Sequence, residues 1–145
     1  MTDHLALALR AVRATLEGDS TVVGTLFTAD VRASVSNTVW SAPGLAVEIE
    51  DRAGAFAEVD LHPNHWRALE SEMWVEWSAS VVHVGPLAIE NGVLEPTGRR
   101  VELAGITVAE FSGDRISAFR QYWDCAALMD DHASSRPRRG RLQRG

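Results

Sequence analysis

The chain has 145 residues, 46% of them hydrophobic, and a formal net charge of −6, which predicts one domain able to bury a substantial core. No uninterrupted apolar run reaches the roughly 18 residues a spanning helix needs, so a transmembrane segment and a membrane partner are excluded. All 20 acidic residues lie at or before Asp131 while five of the 14 arginines fall in the last ten positions, and an acidic body argues against nucleic acid as the partner.

The opening MTDHLALALRAVRATL has no leading positive region and no small-residue cleavage site, so no signal peptide is read. The single cysteine, Cys125, cannot form an internal disulfide, which suits a reducing, cytoplasmic setting. The organisation expected is a single domain over residues 1–131 and a basic tail over 132–145. The Arg, Ser, Gly and Pro content of that tail predicts a solvated, disordered end.

In chain order, Leu5, Leu9, Val12 and Leu16 recur at spacings of four, three and four, the stripe of an amphipathic helix over 4–17. Gly18 ends it, and Asp19 or Ser20 can cap a second short helix reaching Phe27. Asp30 opens VRASVSNTV, a β-branched strand with Ala33, Val35 and Asn37 on one face. SAPG at 41–44 reads as a breaker, and 51–60 (DRAGAFAEVD) as a short helix presenting Ala53, Phe56 and Ala57 inward.

HPNHWRAL resumes an extended course and ESE at 70–72 turns the chain. MWVEWSASVVHV is then a long strand whose inward set is Met73, Val75, Trp77, Ala79, Val81 and His83. GPLAIENGVLEPTG reads as a loop. RRVELAGITVAEF and RISAFRQYWD form a hairpin across SGD, and CAALMDD fits a last helical turn. Helices followed by a curved antiparallel sheet make an α+β domain, the helices covering the wide mouth of a partly closed cone.

Several segments now carry a likeness. SVVHVGPL and EPTGRRVELAGITVAEFSGDRISAFRQYWDCAAL resemble the C-terminal half of the SnoaL-like polyketide cyclase family, which has the cone-shaped fold of nuclear transport factor 2. The residues that carry it are His83 with Gly85, then Pro96-Thr97-Gly98-Arg99, then Trp123-Asp124. The resemblance implies an apolar pocket for a small hydrophobic metabolite, planar or polycyclic, no cofactor, and a homodimer formed through the sheet. It also implies an acidic residue on the last strand, which falls on Gln121, and a histidine on the strand before, which falls on Thr107. An arginine and an aspartate of the epoxide-hydrolase relatives fall on Trp77 and Ala79. Each departure removes a titratable group.

An amide has no usable pKa, so Gln121 can hold a carbonyl or enolate oxygen but cannot abstract a proton. His83 shares the inward face and titrates near neutrality, which makes it the acid–base candidate by chemistry; otherwise it is a strand-end histidine bonded to the next loop. Asp124 is a second candidate, or an N-cap. Asn37 can pair with Gln121 across the cavity, or end its strand by bonding its own backbone.

Trp40, Trp77, Thr107, Phe119 and Trp123 are the candidate substrate-binding wall, with ordinary core or dimer packing as the alternative for the aromatic rings. His62 and His65 would point to opposite faces of a strand, so no metal site is expected. Two readings follow. One is a cofactor-independent cyclase or isomerase with Gln121 and Asn37 holding an oxygen and His83 moving a proton. The other is a non-catalytic ligand-binding or accessory protein on the same cone.

Overall fold

The computed structural model describes residues 3–35, 38–89, 92–124 and 128. Asn37, most of the CAALMDD segment and the basic tail lie outside the described residues. Helix α1 (His4–Glu17) begins where the Asp3 side chain accepts the Ala6 N–H and ends at Gly18, left-handed at φ 75°. A 3-10 turn (Ser20–Val22), capped by Asp19, leads into the short α2 (Val23–Leu26) and then β1 (Phe27–Val35).

After β2 (Thr38–Trp40) the structure departs from the sequence reading. SAPG does not break the chain: it opens helix α3 (Ala42–Glu50), with Ser41 at the N-cap position and Pro43 in the first turn. A proline costs nothing there, because the first-turn N–H groups have no partner within the helix. The helix expected over 51–60 is a turn over 51–55 followed by β3 (Phe56–Leu69). Gly54, at φ 84°, makes the reversal; of the residues expected inward, Phe56 is buried, Ala57 half-buried and Ala53 exposed, and the buried helical face here is Leu45 and Ile49 of α3.

Arg52 in this turn is buried and ion-paired with Glu48 at 3.0 Å. Burial pulls its pKa below the ordinary value, and Glu48 pulls it back.

The remaining elements are β4 (Glu72–His83), β5 (Leu87–Ile89), β6 (Gly92–Leu94), β7 (Arg100–Ser112) and β8 (Arg115–Asp124). The segment read as a loop after β4 thus contains a small hairpin, β5 with β6. The other strands form one sheet in the order β2-β1-β8-β7-β4-β3, antiparallel throughout except for the parallel pair β1–β8. This is the α+β architecture expected: a curved sheet with helices against one face.

Curvature has visible causes. The β3–β4 register shifts between Ala57 and Asp60 and again between Pro63 and His65, and Glu58 adopts φ 52°. Bulges of this kind bend a strand and free its carbonyls from the ladder. Arg13 of α1 donates to the Val59 carbonyl at 3.0 Å, and Arg100 of β7 pairs with the Glu58 carboxylate and donates to Ser80. The bulge is thereby tied to both the helix above and the strand beside it. Pro63 is tolerated because β3 is an edge strand.

Every predicted inward residue of β4, from Met73 to His83, is buried. At the end of β4 the chain passes close to the 51–55 turn, where Val84 and Gly85 both donate to the Ala55 carbonyl. A Cβ on Gly85 would lie 2.1 Å from the Gly54 carbonyl oxygen, so only glycine fits. Gly85→Ala should therefore lower unfolding stability by about 1–3 kcal/mol in urea titration. Gly24→Ala, where a Cβ meets nothing within 4 Å, should be neutral or slightly stabilising.

Candidate functional site

The helix-covered face of the sheet is organised in rows. Val75, Thr107 and Gln121 lie level across β4, β7 and β8, with Val35 of β1 completing the row. The next row is Trp77, Gly105 and Trp123. On the other side come Met73, Ala109, Phe119 and Ala33. Gln121 thus turns inward, as the alternation of β8 predicts, and is buried.

Both ends of its amide are engaged. The indole N–H of Trp77 donates to Thr107 Oγ1 at 2.9 Å, and the Thr107 hydroxyl donates to Gln121 Oε1 at 3.2 Å. Gln121 Nε2 then donates to Thr15 Oγ1 at 2.7 Å, and the Thr15 hydroxyl donates to the Val12 carbonyl at 2.7 Å. The chain starts at a group that can only donate and ends at one that can only accept. Its direction fixes the amide orientation: Thr15 spends its single proton on Val12, so Gln121 must present an N–H to it. All four side chains are at most 1% exposed.

Thr15 escaped the sequence reading. The stripe chosen there was the large residues Leu5, Leu9, Val12 and Leu16, but the fully buried face also takes in Ala8, Ala11, Ala14 and Thr15. Small residues let the helix approach the sheet closely. The available signal was that Thr15 follows Ala8 by seven and Ala11 by four, the centre of one helical face.

His83 does not join this group. It stands at the far end of β4, eight residues beyond Val75, a contour of about 26 Å at the usual strand rise. There it is buried, its ring 5.7 Å from Phe56, while its backbone exchanges hydrogen bonds with Gly98 and Arg99. Trp123 is partly buried, edge-on to Phe56 at 6.3 Å. Phe119 is fully buried and edge-on to Phe27 at 5.4 Å. Trp40 packs, partly buried, over Gly44 of α3, and its buried indole nitrogen has no hydrogen-bond partner among the described residues. Asp124 is exposed at the end of β8, away from the buried chain.

Among the described residues no three metal-ligating side chains cluster; His62 and His65 are both exposed, and His62 lies 3.2 Å from Asp60. No helix among the described residues is long and apolar enough to cross a membrane.

The opposite face of the sheet is open. Leu69, Trp74, Ile106 and Tyr122 are each between 42% and 51% exposed there, with Trp66 beside them at the strand edge. A recess of about 730 Å³ is lined by Trp66, Arg67, Leu69, Trp74, Glu76 and Ile106 among others, and a second of about 430 Å³ adjoins it at Glu76 and Ile106. Arg120 bridges Glu72 and Glu110 across this face.

No protein-family model matches the chain, and no curated protein is similar to it in sequence. Solved structures are similar in fold. AclR from Streptomyces galilaeus, provisionally assigned as a hydroxylase, superposes with TM-score 0.70 at 18% identity, over 89% of this chain and 94% of that one. A protein from Jannaschia sp. CCS1, provisionally assigned as a SnoaL-like polyketide cyclase, gives 0.69 at 16% identity, over 91% and 94%. SalBIII, an epoxide hydrolase/cyclase-like enzyme of pyran ring formation in the polyether salinomycin, gives 0.61 at 19%, over 88% and 97%. The chain has the fold of the SnoaL-like polyketide cyclases and their relatives of the nuclear transport factor 2 type.

Proposed function

We propose that this protein acts by binding and not by moving protons: a non-catalytic accessory protein on the SnoaL-like fold, with a sealed interior and an outer sheet face that serves as its working surface. The observation that carries the reading is the buried chain from Trp77 to Val12, in which every member is paired and none is titratable. Acid–base catalysis needs a group of suitable pKa within hydrogen-bond reach of the substrate. The cyclase or isomerase reading needs Gln121 free to hold an oxygen and His83 close enough to share the work. Gln121 is bonded on both ends of its amide, and His83 sits eight strand positions away.

The chain itself can be tested by Gln121→Glu. A neutral carboxylic acid can donate to Thr15 and accept from Thr107 as the amide does, whereas a carboxylate would be a buried charge. Burial raises the folded-state pKa of such a carboxyl above its unfolded value of about 4.3. The variant should then match wild type most closely below that value and lose stability as pH rises toward the folded pKa, because the folded state binds more protons. At pH 7 the deficit should be about 2–4 kcal/mol. A pH-independent deficit in chemical denaturation would contradict a sealed interior around Gln121. Wild type should likewise show no saturable thermal shift with planar polycyclic ketones; one abolished by Gln121→Ala would restore the ligand-pocket reading.

For the outer face we infer a second copy of the chain. Exposed aromatic and aliphatic side chains grouped on one surface mark an interaction site. Arg67 and Glu76 lie in the same recess and make no ion pair or side-chain hydrogen bond among the described residues. A two-fold partner would satisfy both, each arginine meeting the other protomer's glutamate. Sedimentation should report a dimer, Arg67→Glu should weaken it, and Arg67→Glu combined with Glu76→Arg should restore it. A wild-type monomer, or a double variant no better than the single, would remove this assignment.

A further inference from the structure

We propose that Trp77 is an internal ligand: its indole fills, in cis, a site on the concave face of the sheet built for a flat bicyclic heteroarene with one N–H donor. The inference deepens the reading of a sealed interior and rests on it. Trp77 heads the largest fully buried side chains. Its ring lies over Gly105, where a Cβ would come within 2.3 Å of Cζ2 and 2.7 Å of Cε2. A position without a side chain thus forms the floor. On the same strand face, Val75 and Ala79 are the buried apolar neighbours on either side of Trp77 along the strand.

The single polar contact is directional, and its polarity is set elsewhere. Thr107 gives its proton to Gln121 Oε1, so toward the ring it can only accept. Gln121 is held in the orientation that offers Oε1 to Thr107 by Thr15, whose own proton is committed to Val12. The chain therefore presents one preset acceptor at the rim of a flat apolar slot. Such a slot selects a planar hydrocarbon body of two fused rings and a ring N–H, and it disfavours the same shape without the donor, because the Thr107 oxygen would be left with no donor on the ring side.

The test is Trp77→Ala with indole as the probe and indene, the same shape without N–H, as the comparison. Indole should raise the melting temperature of the variant saturably and bind at least about tenfold more tightly than indene, the size of one net hydrogen bond. Trp77→Ala combined with Thr107→Val should bind both and lose the preference. Should Trp77→Ala not fold alone, refolding yield with indole against indene gives the same comparison.

No saturable indole binding, or equal affinity for indole and indene in the single variant, overturns the proposal. Wild type should ignore indole. Binding by wild type would overturn the sealed interior itself, an outcome distinct from a variant that binds nothing.

Discussion

One hydrogen bond, Gln121 Nε2 to Thr15 Oγ1, joins the covering helix to the middle of the sheet. A polar group buried without a partner costs about 1–3 kcal/mol, so every donor and acceptor around that link has to be satisfied in turn. Gln121 needs Thr107, Thr107 accepts the indole of Trp77, and Thr15 passes its proton back to its own helix at Val12. Four elements, α1, β4, β7 and β8, are fixed in relation to one another by groups with no pKa near neutrality. The small residues Ala8 and Ala11 follow from the same constraint, since the helix must approach closely enough for a threonine hydroxyl to reach the sheet.

A shared fold leaves chemistry open. Three of the four positions where the family resemblance implies titratable groups, Trp77, Thr107 and Gln121, are here linked in one hydrogen-bonded chain, and the fourth is Ala79. In this chain those positions face each other, and the apolar surface left uncovered is the opposite side of the sheet.

The fold was largely legible in the sequence, and the reasons are local. The alternation from Met73 to His83 placed a strand face correctly, because period-two patterning and burial coincide on a long half-covered strand. The resemblance over His83–Gly85, Pro96–Arg99 and Trp123–Asp124 pointed to the right architecture. SAPG was misleading because proline in the first turn of a helix looks like punctuation. The β5–β6 hairpin was invisible because three-residue strands carry no period. The candidate site was only half legible. Side-chain direction could be read for Gln121, Thr107, Trp77 and His83, but their spacing depends on register between strands, which no one-dimensional pattern states. Thr15, in a helix far from the strands it serves, gave no strand-level signal.

The parallel pairing of β1 with β8 joins the start of the sheet to its end. Val35 cannot find Gln121 until nearly all the intervening chain is in place, and β2 hangs on β1 alone. Contacts of such long sequence separation carry a loop-closure penalty that slows folding. A nascent chain would hold β1 paired only with the short β2 until β8 emerged from the ribosome, so these two strands should be the last part of the domain to acquire protection from proteolysis.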